Sequence, residues 1–208
     1  FFEAAVGGGI PVIRTLGTGY QGQVITEITG ILNGTTNYIL TRMDREGAEF
    51  GEVLADAQRL GYAERNPEAD IEGHDTCRKI AILSSLVTGK EVNFEDVYTE
   101  GISKIDSTDF RYASELRASI KLVGSAQFAG SQVTVSVFPL LVSDENPLYA
   151  VQGVYNGIVI KGNLLGTTML YGSGAGKLPT ASAVLADMME AAKHKNENVC
   201  FGWTAEKQ

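Results

Sequence analysis

Hydrophobic and polar positions change their period near residue 120, and this change separates a helical part of the chain from a strand-rich part. Before it, apolar residues recur every three or four positions over residues 36–46, 50–60 and 73–89, which predicts three amphipathic helices. Residues 24–32 are rich in β-branched side chains and predict a strand. After it, apolar residues alternate over 120–128, 133–137, 158–160 and 167–171, which predicts a sheet of five or six strands, and a last helix is expected over 179–193.

Residues that favour caps and turns mark the ends of these elements. Asn33 opens an Asn-Gly-Thr-Thr turn before the first long helix, and Gly47 is expected to end that helix. A turn of three glycines, residues 7–9, precedes Pro11 and predicts a short helix after it. The other predicted boundary residues are Gly61 and Gly89, with Asn93 or Asp109 as caps of short later helices.

One predicted helix carries a candidate proton-transfer pair. Asp75 and Lys79 are four residues apart and therefore share a face. On a helical wheel this pair lies inside the apolar arc, whereas Arg78, Ser84 and Ser85 lie on the opposite side, where solvent is expected. A solvated surface ion pair is the alternative interpretation. A lysine on a buried face must be paired or must shift its pKa, and a lysine held beside an acid near a cleft suits proton transfer.

Composition and charge restrict the classes of function. The chain has 208 residues, 44% of them hydrophobic, so it can bury a substantial core in one large domain or two small ones. A net charge of −8 disfavours a nucleic-acid partner. No apolar run reaches the roughly 18 residues of a membrane helix, and no signal peptide is evident. Cys77 and Cys200 form no disulfide framework, which favours a reducing, cytoplasmic compartment, with Cys77 as a packed thiol. The missing initiator methionine suggests a piece of a longer chain.

Two glycine-rich segments resemble nucleotide-binding motifs. Residues 17–22 match G-x-G-x-x-G, but no strand precedes them and a strand-like segment follows, so a loop is predicted instead of a dinucleotide turn. Residues 172–177 resemble a phosphate loop, yet Leu178 stands where a Walker A loop requires serine or threonine. This second segment still places a flexible backbone before a helix N-terminus, which attracts anions. A tight connection without a ligand is the alternative.

Other chemistries have less support. His74 and His194 are far apart in sequence and no Cys/His cluster accompanies them, which disfavours a transition-metal site. Neither cysteine has a recognisable catalytic partner. Four acids crowd the segment before the Asp75–Lys79 helix, and they form either a solvated loop or a receptor for a cationic group: Glu64, Glu68, Asp70 and Glu72.

Four motifs in a fixed order carry a family resemblance. They are F-E-A-A-V-G-G-G-I-P at residues 2–11, N-G-T-T-N-Y-I-L at 33–40, G-Y-A-E-R-N-P-E-A-D-I-E-G-H-D-T-C-R-K at 61–79, and Y-G-S-G-A-G-K-L-P-T at 171–180. Together they resemble homoserine dehydrogenase over nearly the whole chain, to about residue 187. The resemblance implies NAD(P)-dependent interconversion of L-homoserine and L-aspartate 4-semialdehyde, on the route to threonine, isoleucine and methionine.

The resemblance also implies roles for individual residues. Lys79 would exchange a proton with the substrate oxygen, and Asp75 would orient Lys79 and touch the substrate. Glu64 would face the substrate amino group, with Asp70 as a supporting acid. The remaining implied pocket residues are Gly61, Gly34 and Thr35 for substrate and Gly176 for the cofactor. A sodium ion would be held largely by backbone oxygens at Glu3, Val6, Gly8 and Ile10, which suits a hard cation.

The resemblance also implies the fold: α/β (α+β), with helices on one face of a mixed, largely antiparallel sheet and the other face packed on a second subunit in a homodimer. The alternating strands after residue 120 are compatible with this arrangement, because they leave a sheet face that needs a cover. Residues 1–194 would form the substrate-binding and dimerisation domain, and residues 195–208 a tail or linker. The family's N-terminal Rossmann domain is missing from this sequence, so the isolated chain is expected to be inactive. The alternatives are a non-catalytic dimerisation or regulatory module, and another semialdehyde or phosphate-substrate dehydrogenase with a similar C-terminal domain. Dehydrogenases of the second kind that act on acyl intermediates use a cysteine nucleophile with a histidine, and no such pair is recognisable in this sequence.

Overall fold

The computed structural model describes residues 1–197 and 202–208, so Cys200 lies outside the described residues. Six strands of the described residues form the main sheet, in the order β3-β5-β4-β1-β6-β7. These strands are β1 (Ile25–Ile31), β3 (Tyr98–Thr99), β4 (Ala118–Ala129), β5 (Gln132–Ser143), β6 (Tyr155–Gly162) and β7 (Gly166–Ser173). Every pair is antiparallel except β3 with β5, which confirms the predicted mixed, largely antiparallel sheet.

Seven α-helices lie in the described part of the chain: α1 (Val12–Arg14), α2 (Gly34–Glu46), α3 (Phe50–Arg59), α4 (Glu68–Ile71), α5 (His74–Thr88), α6 (Ser107–Glu115) and α7 (Lys177–Lys193). The predicted ends of α2 are confirmed, because the Asn33 side chain accepts a hydrogen bond from the Thr36 amide and Gly47 adopts a φ of 63°. Helix α5 lies between Gly73 and Gly89, as predicted.

The core lies between the sheet and helices α2, α5 and α6. Ile28 of β1 and Leu122 of β4 pack there with Ile80 and Leu83 of α5, all fully or almost fully buried. The opposite face holds a smaller cluster, in which Leu148 and Val151 cover apolar side chains of the sheet: Ile31, Val123, Val142 and Val159. The turn at residues 147–151 therefore covers part of the face predicted to form a dimer, and dimerisation itself stays a prediction.

The polar side of α5 differs from the helical-wheel prediction. Ser84 is fully buried and Ser85 is 2% exposed, whereas both were expected to face solvent. Their hydroxyls donate to the carbonyls of Ile80 and Ala81 at 2.8 Å, so each serine satisfies its polar group within its own helix and can enter the core. The stripe that carries the Asp75–Lys79 pair is instead partly exposed.

Of three other local predictions, one is confirmed and two need correction or refinement. Asp109 is not the N-cap of α6; Asp106 is, and Asp109 completes a capping box from the third helical position. Asn93 caps a short 3-10 helix (Phe94–Asp96), as predicted. The glycine motif at residues 17–22 begins in a π-helical turn (Thr15–Gly19) that continues α1, so it is only partly a loop.

The C-terminal strand and the Cys77 thiol both pack against other parts of the chain. Within the segment predicted as a tail, β8 (Thr204–Lys207) pairs in parallel with β2 (Lys90–Glu91). Cys77 is buried, and its sulfur contacts the Phe94 carbonyl at 3.3 Å, which confirms a packed thiol. Among the described residues, no helix is both long enough and apolar enough to cross a bilayer.

Candidate active site

A cleft of about 470 Å³ opens where distant segments of the chain converge. The β1–α2 junction forms one side, and helices α4 and α5 contribute charged side chains. The segment before α4 and the glycine-rich segment before α7 close the remaining sides. The lining residues are Leu32, Asn33, Gly34, Thr35, Leu60, Gly61, Tyr62, Asp70, Asp75, Lys79, Val154, Ser173, Gly174, Ala175 and Gly176.

The Lys79 ammonium is fixed at the cleft by two acceptors. Its Nζ donates to Asp75 Oδ2 at 2.6 Å and to the Leu32 carbonyl at 3.0 Å. The two side chains are only 20% and 31% exposed, so this is not the solvated surface pair that spacing alone allows. An ammonium has three N–H donors, and one therefore remains for a group in the cleft.

Asn33 joins this pair to a second acid. Its Nδ2 donates to Asp70 Oδ1 at 2.8 Å and to Asp75 Oδ2 at 2.9 Å. Its Oδ1 accepts the Thr36 amide at 2.9 Å and so caps α2. The sequence identified Asn33 only as a turn residue. A signal was nevertheless present, because a cap uses only the oxygen and a buried amide nitrogen must find acceptors elsewhere.

The turn after Asn33 forms a wall of the cleft by close backbone approach. A Cβ atom at Gly34 would lie 2.8 Å from the Val154 carbonyl oxygen, so only glycine fits without displacing that segment. Thr35 Oγ1 donates to the Tyr62 carbonyl at 2.7 Å and ties the wall to the segment before α4. No sequence pattern identifies Val154 or the Leu32 carbonyl, because each contributes through backbone atoms.

The structure brings together seven of the eight residues predicted for substrate and cofactor. Lys79, Asp75, Asp70, Gly61, Gly34, Thr35 and Gly176 all line the cleft. Glu64 does not line it: the residue is exposed, and its carbonyl accepts from Gln58 Nε2 at 3.0 Å. The acidic segment is therefore divided: Asp70 lines the cleft and accepts a hydrogen bond from Asn33, whereas Glu64 is exposed to solvent.

The glycine-rich segment before α7 forms the opposite wall. Gly176 has a φ of 112°, which side chains rarely adopt, and it immediately precedes the helix. Residues 173–176 thus place flexible backbone and a helix N-terminus at the cleft, an arrangement that suits an anionic ligand.

The turn proposed to bind a cation lies outside this cleft. Among the described residues, no hydrogen bond ends on the carbonyl oxygens of Val6 or Gly8, whereas the Ile10 carbonyl accepts the Val12 amide at 2.8 Å. The Glu3 carboxylate accepts the amides of Ile13 and Arg14 at 2.9 and 2.8 Å. Burial raises the pKa of the Glu3 carboxyl above its usual value, although these backbone hydrogen bonds oppose the rise.

The oxygen donors available at this turn are mainly backbone carbonyls, the kind of ligand that a hard cation takes. Within residues 1–197 and 202–208, no three His, Cys, Asp or Glu side chains form a group that could hold a metal ion. Carbonyl oxygens are suitable ligands for a hard cation, and those of Val6 and Gly8 are not engaged in hydrogen bonds among the described residues.

Comparison with known proteins identifies the family. The sequence profile of homoserine dehydrogenase matches residues 11–189. The chain belongs to the homoserine dehydrogenase family. A homoserine dehydrogenase of Synechocystis is 51% identical over 191 residues, which cover 90% of this chain and 44% of the relative. That of Neisseria gonorrhoeae is 47% identical over 192 residues, covering 92% of this chain and 44% of the relative.

Solved structures of the family share the fold. The crystal structure of a homoserine dehydrogenase from Thiobacillus denitrificans matches with a TM-score of 0.91 and 44% identity, covering 96% of this chain and 47% of that one. A hyperthermophilic archaeal homoserine dehydrogenase mutant in complex with NADPH matches with a TM-score of 0.80 and 33% identity, covering 96% and 57%. The chain thus spans less than half the length of its curated homoserine dehydrogenase relatives.

Proposed function

We propose that this chain supplies the substrate-binding and proton-transfer part of an enzyme that interconverts L-homoserine and L-aspartate 4-semialdehyde. The observation that carries the proposal is the Lys79 ammonium, which Asp75 and the Leu32 carbonyl hold at the cleft, while its third N–H has no partner among the described residues. Family membership supports it, because the relatives are homoserine dehydrogenases.

Lys79 is the proposed acid and base. Bound NAD(P) would supply the hydride chemistry between the alcohol and aldehyde forms of the substrate. During reduction the Lys79 ammonium donates a proton to the aldehyde oxygen, and during oxidation its neutral amine takes the hydroxyl proton. Asp75 keeps Nζ directed at the cleft through the 2.6 Å contact.

The acids of the cleft suit a substrate that carries an ammonium group. Asp70 and Asp75 together exceed the single charge of Lys79, so the net charge of this group is negative. Gly61, Gly34 and Thr35 would enclose the rest of the substrate. Glu64 would contact the amino group only if residues 61–64 moved toward the cleft, since its side chain lies outside the lining.

Cofactor and cation have proposed contacts on this chain. Gly176 and the preceding glycine-rich segment would approach NAD(P), whose phosphates are anionic. The carbonyls of Glu3, Val6, Gly8 and Ile10 would hold a sodium ion, which takes oxygen ligands.

Exposed apolar surfaces support a larger assembly. In α7 only Ala183 is buried, whereas Leu178, Leu185, Met188 and Met189 are exposed. Apolar surface of this kind marks an interface. We propose that the cofactor-binding part of the full-length protein covers α7, that the open sheet face forms a homodimer, and that residues 1–208 alone are inactive. A cytoplasmic location accompanies this proposal.

The test is homoserine-dependent reduction of NAD(P) by the full-length protein. Lys79→Met is expected to lower turnover about 100-fold or more while the fold survives. Lys104→Met is the matched control, because Lys104 also pairs with an acid four residues away, Glu100 at 3.6 Å, but its side chain is 83% exposed. Equal turnover in both variants would move proton transfer to another residue.

Assays of the isolated chain and of the full-length protein together distinguish the proposed enzymatic function from a non-catalytic module. Turnover by residues 1–208 alone would contradict the proposed dependence on a further domain. Absence of turnover in the full-length wild type would favour a dimerisation or regulatory module of the same fold.

A further inference from the structure

The orientation of the Asn33 amide is determined by its surroundings. Its Oδ1 accepts the Thr36 amide at 2.9 Å, and a backbone N–H can only donate. The nitrogen must therefore face the acids of the cleft, where the two nearest groups are carboxylates that only accept when ionised. Because Asn33 is 6% exposed, water does not compete freely for these hydrogens.

The two Nδ2 hydrogens of Asn33 are donated to acids on two different helices. Asp70 belongs to α4 and Asp75 to α5, and one oxygen of each lies within 2.9 Å of the same nitrogen. Hydrogen bonds to charged acceptors are stronger than neutral ones. Asn33 therefore holds two like charges close together, and the only ammonium in direct contact with either acid within the described residues is that of Lys79.

Each carboxylate retains one open oxygen. Among the described residues, no hydrogen bond ends on Asp70 Oδ2 or on Asp75 Oδ1. The amide fixes each acid through the other oxygen, which determines where the open oxygens point. An ammonium or hydroxyl in the cleft would meet acceptors whose directions are already set.

We propose that Asn33 is a positioning residue of the proton-transfer site: it holds Asp75 against Lys79 and directs the open oxygens of Asp70 and Asp75 toward the substrate. This inference rests on the proposed function of the cleft. It assigns Asn33 a role that capping does not require, because serine, threonine or aspartate would cap α2 equally well with an oxygen alone.

Asn33→Asp separates positioning from capping. The aspartate retains the cap acceptor, removes both donors and places a third carboxylate beside Asp70 and Asp75. Asn93→Asp is the matched control, since Asn93 also caps a helical segment by accepting an amide, that of Glu95 at 3.2 Å, and does not line the cleft.

Steady-state kinetics of the full-length protein provide the readout. Asn33→Asp is expected to raise the KM for homoserine about 10-fold, to lower kcat/KM about 100-fold, and to shift the acidic limb of the kcat/KM profile to higher pH, because like charges disfavour ionisation. Asn93→Asp should retain wild-type values. Wild-type KM, kcat and pH profile in a folded Asn33→Asp protein would overturn the proposal and leave Asn33 as a cap.

An exchange of the two side chains adds a rescue. Asn33→Asp combined with Asp70→Asn restores the net charge and one amide–carboxylate hydrogen bond, so the pH profile is expected to return toward that of the wild type. A defect equal to or larger than that of Asn33→Asp alone would count against positioning through Asp70.

A measurement without turnover distinguishes failure of this inference from failure of the proposed function. If the wild type oxidises no homoserine, the proposed function fails, and the side-chain amide of Asn33 still reports the geometry by NMR. Two resolved, slowly exchanging Nδ2 protons that lose protection in Asp70→Asn support positioning. Rapid exchange in the wild type overturns it.

Discussion

Lys121 of β4 provides the sharpest test of the energetics of this fold. The residue is 1% exposed, and its Nζ donates to the Val151 carbonyl at 2.6 Å and to Asn37 Oδ1 at 3.4 Å. No salt bridge reaches it within the described residues. Desolvation by burial lowers the pKa of Lys121 from 10.5 to about 8, although the charge of Asp44 opposes this effect.

The lowered pKa predicts how stability depends on pH. Between about pH 8 and about pH 10.5 the unfolded chain binds a proton at Lys121 that the folded chain has released, so stability rises with pH in this window. The linkage amounts to about 2.5 kcal/mol between about pH 7 and about pH 10. Below about pH 7 both states are protonated, and the contribution no longer changes with pH.

The proposed perturbation is Lys121→Met, which removes the charge while keeping a similar length. Near pH 7 it relieves a desolvation penalty of about 3 kcal/mol. It also leaves the Asn37 oxygen and, in part, the Val151 carbonyl without a donor, at about 1–3 kcal/mol each. Because these effects oppose each other, the pH dependence is more informative than the absolute change.

The assay is urea unfolding followed by circular dichroism from about pH 7 to about pH 10. The stability of the wild type relative to Lys121→Met is expected to rise by about 2.5 kcal/mol over this range. Lys104→Met controls for the loss of one lysine charge at an exposed position. A wild-type-minus-Met difference that stays constant with pH would refute the argument that burial governs this lysine.

Two further changes probe the cleft wall and a helix cap. Gly34→Ala is expected to raise the KM for homoserine about 10-fold in the full-length protein. The new Cβ would lie 2.8 Å from the Val154 carbonyl oxygen, so the cleft wall must move. An unchanged KM would contradict this expectation. Asp106→Ala is expected to lower the free energy of unfolding by about 1 kcal/mol, because Asp106 Oδ1 accepts the Thr108 amide at 2.7 Å and caps α6. The kinetics should be unaltered, because Asp106 does not line the cleft. Urea unfolding checks the first expectation and steady-state kinetics the second.

Local sequence signals were sufficient to predict most of the helices and strands. Asn33, Gly47 and Gly89 mark helix ends through short-range chemistry, and the alternation after residue 120 predicts the long strands. The prediction was wrong for Ser84 and Ser85, because a helical wheel assigns sides by polarity and ignores a hydroxyl that bonds to its own helix.

The candidate site shows where sequence reasoning ends. The Asp75–Lys79 contact follows from helical spacing, whereas the contact between Asn33 and Asp70 joins residues 37 positions apart and depends on tertiary packing. Alternation assigns Lys121 to the sheet face opposite Ile120 and Leu122. It does not reveal that the turn at residues 147–151 covers this position, and a buried lysine was therefore not predictable.

Helix α2 connects the two polar networks of the molecule. Its cap, Asn33, holds the acids of the cleft. One turn later Asn37 donates to the carbonyls of Gly153 and Tyr155 at 2.9 and 3.1 Å, and it also accepts from Lys121.

These contacts hold both sides of the segment that bears Val154, whose carbonyl meets Gly34 at the cleft. The buried Lys121–Asn37 network therefore supports the wall of the site from behind, and this gives a physical reason to retain a buried lysine despite its desolvation penalty. By this argument Lys121→Met changes the KM for homoserine more than it changes kcat, because the network contacts the wall and not the ammonium of Lys79.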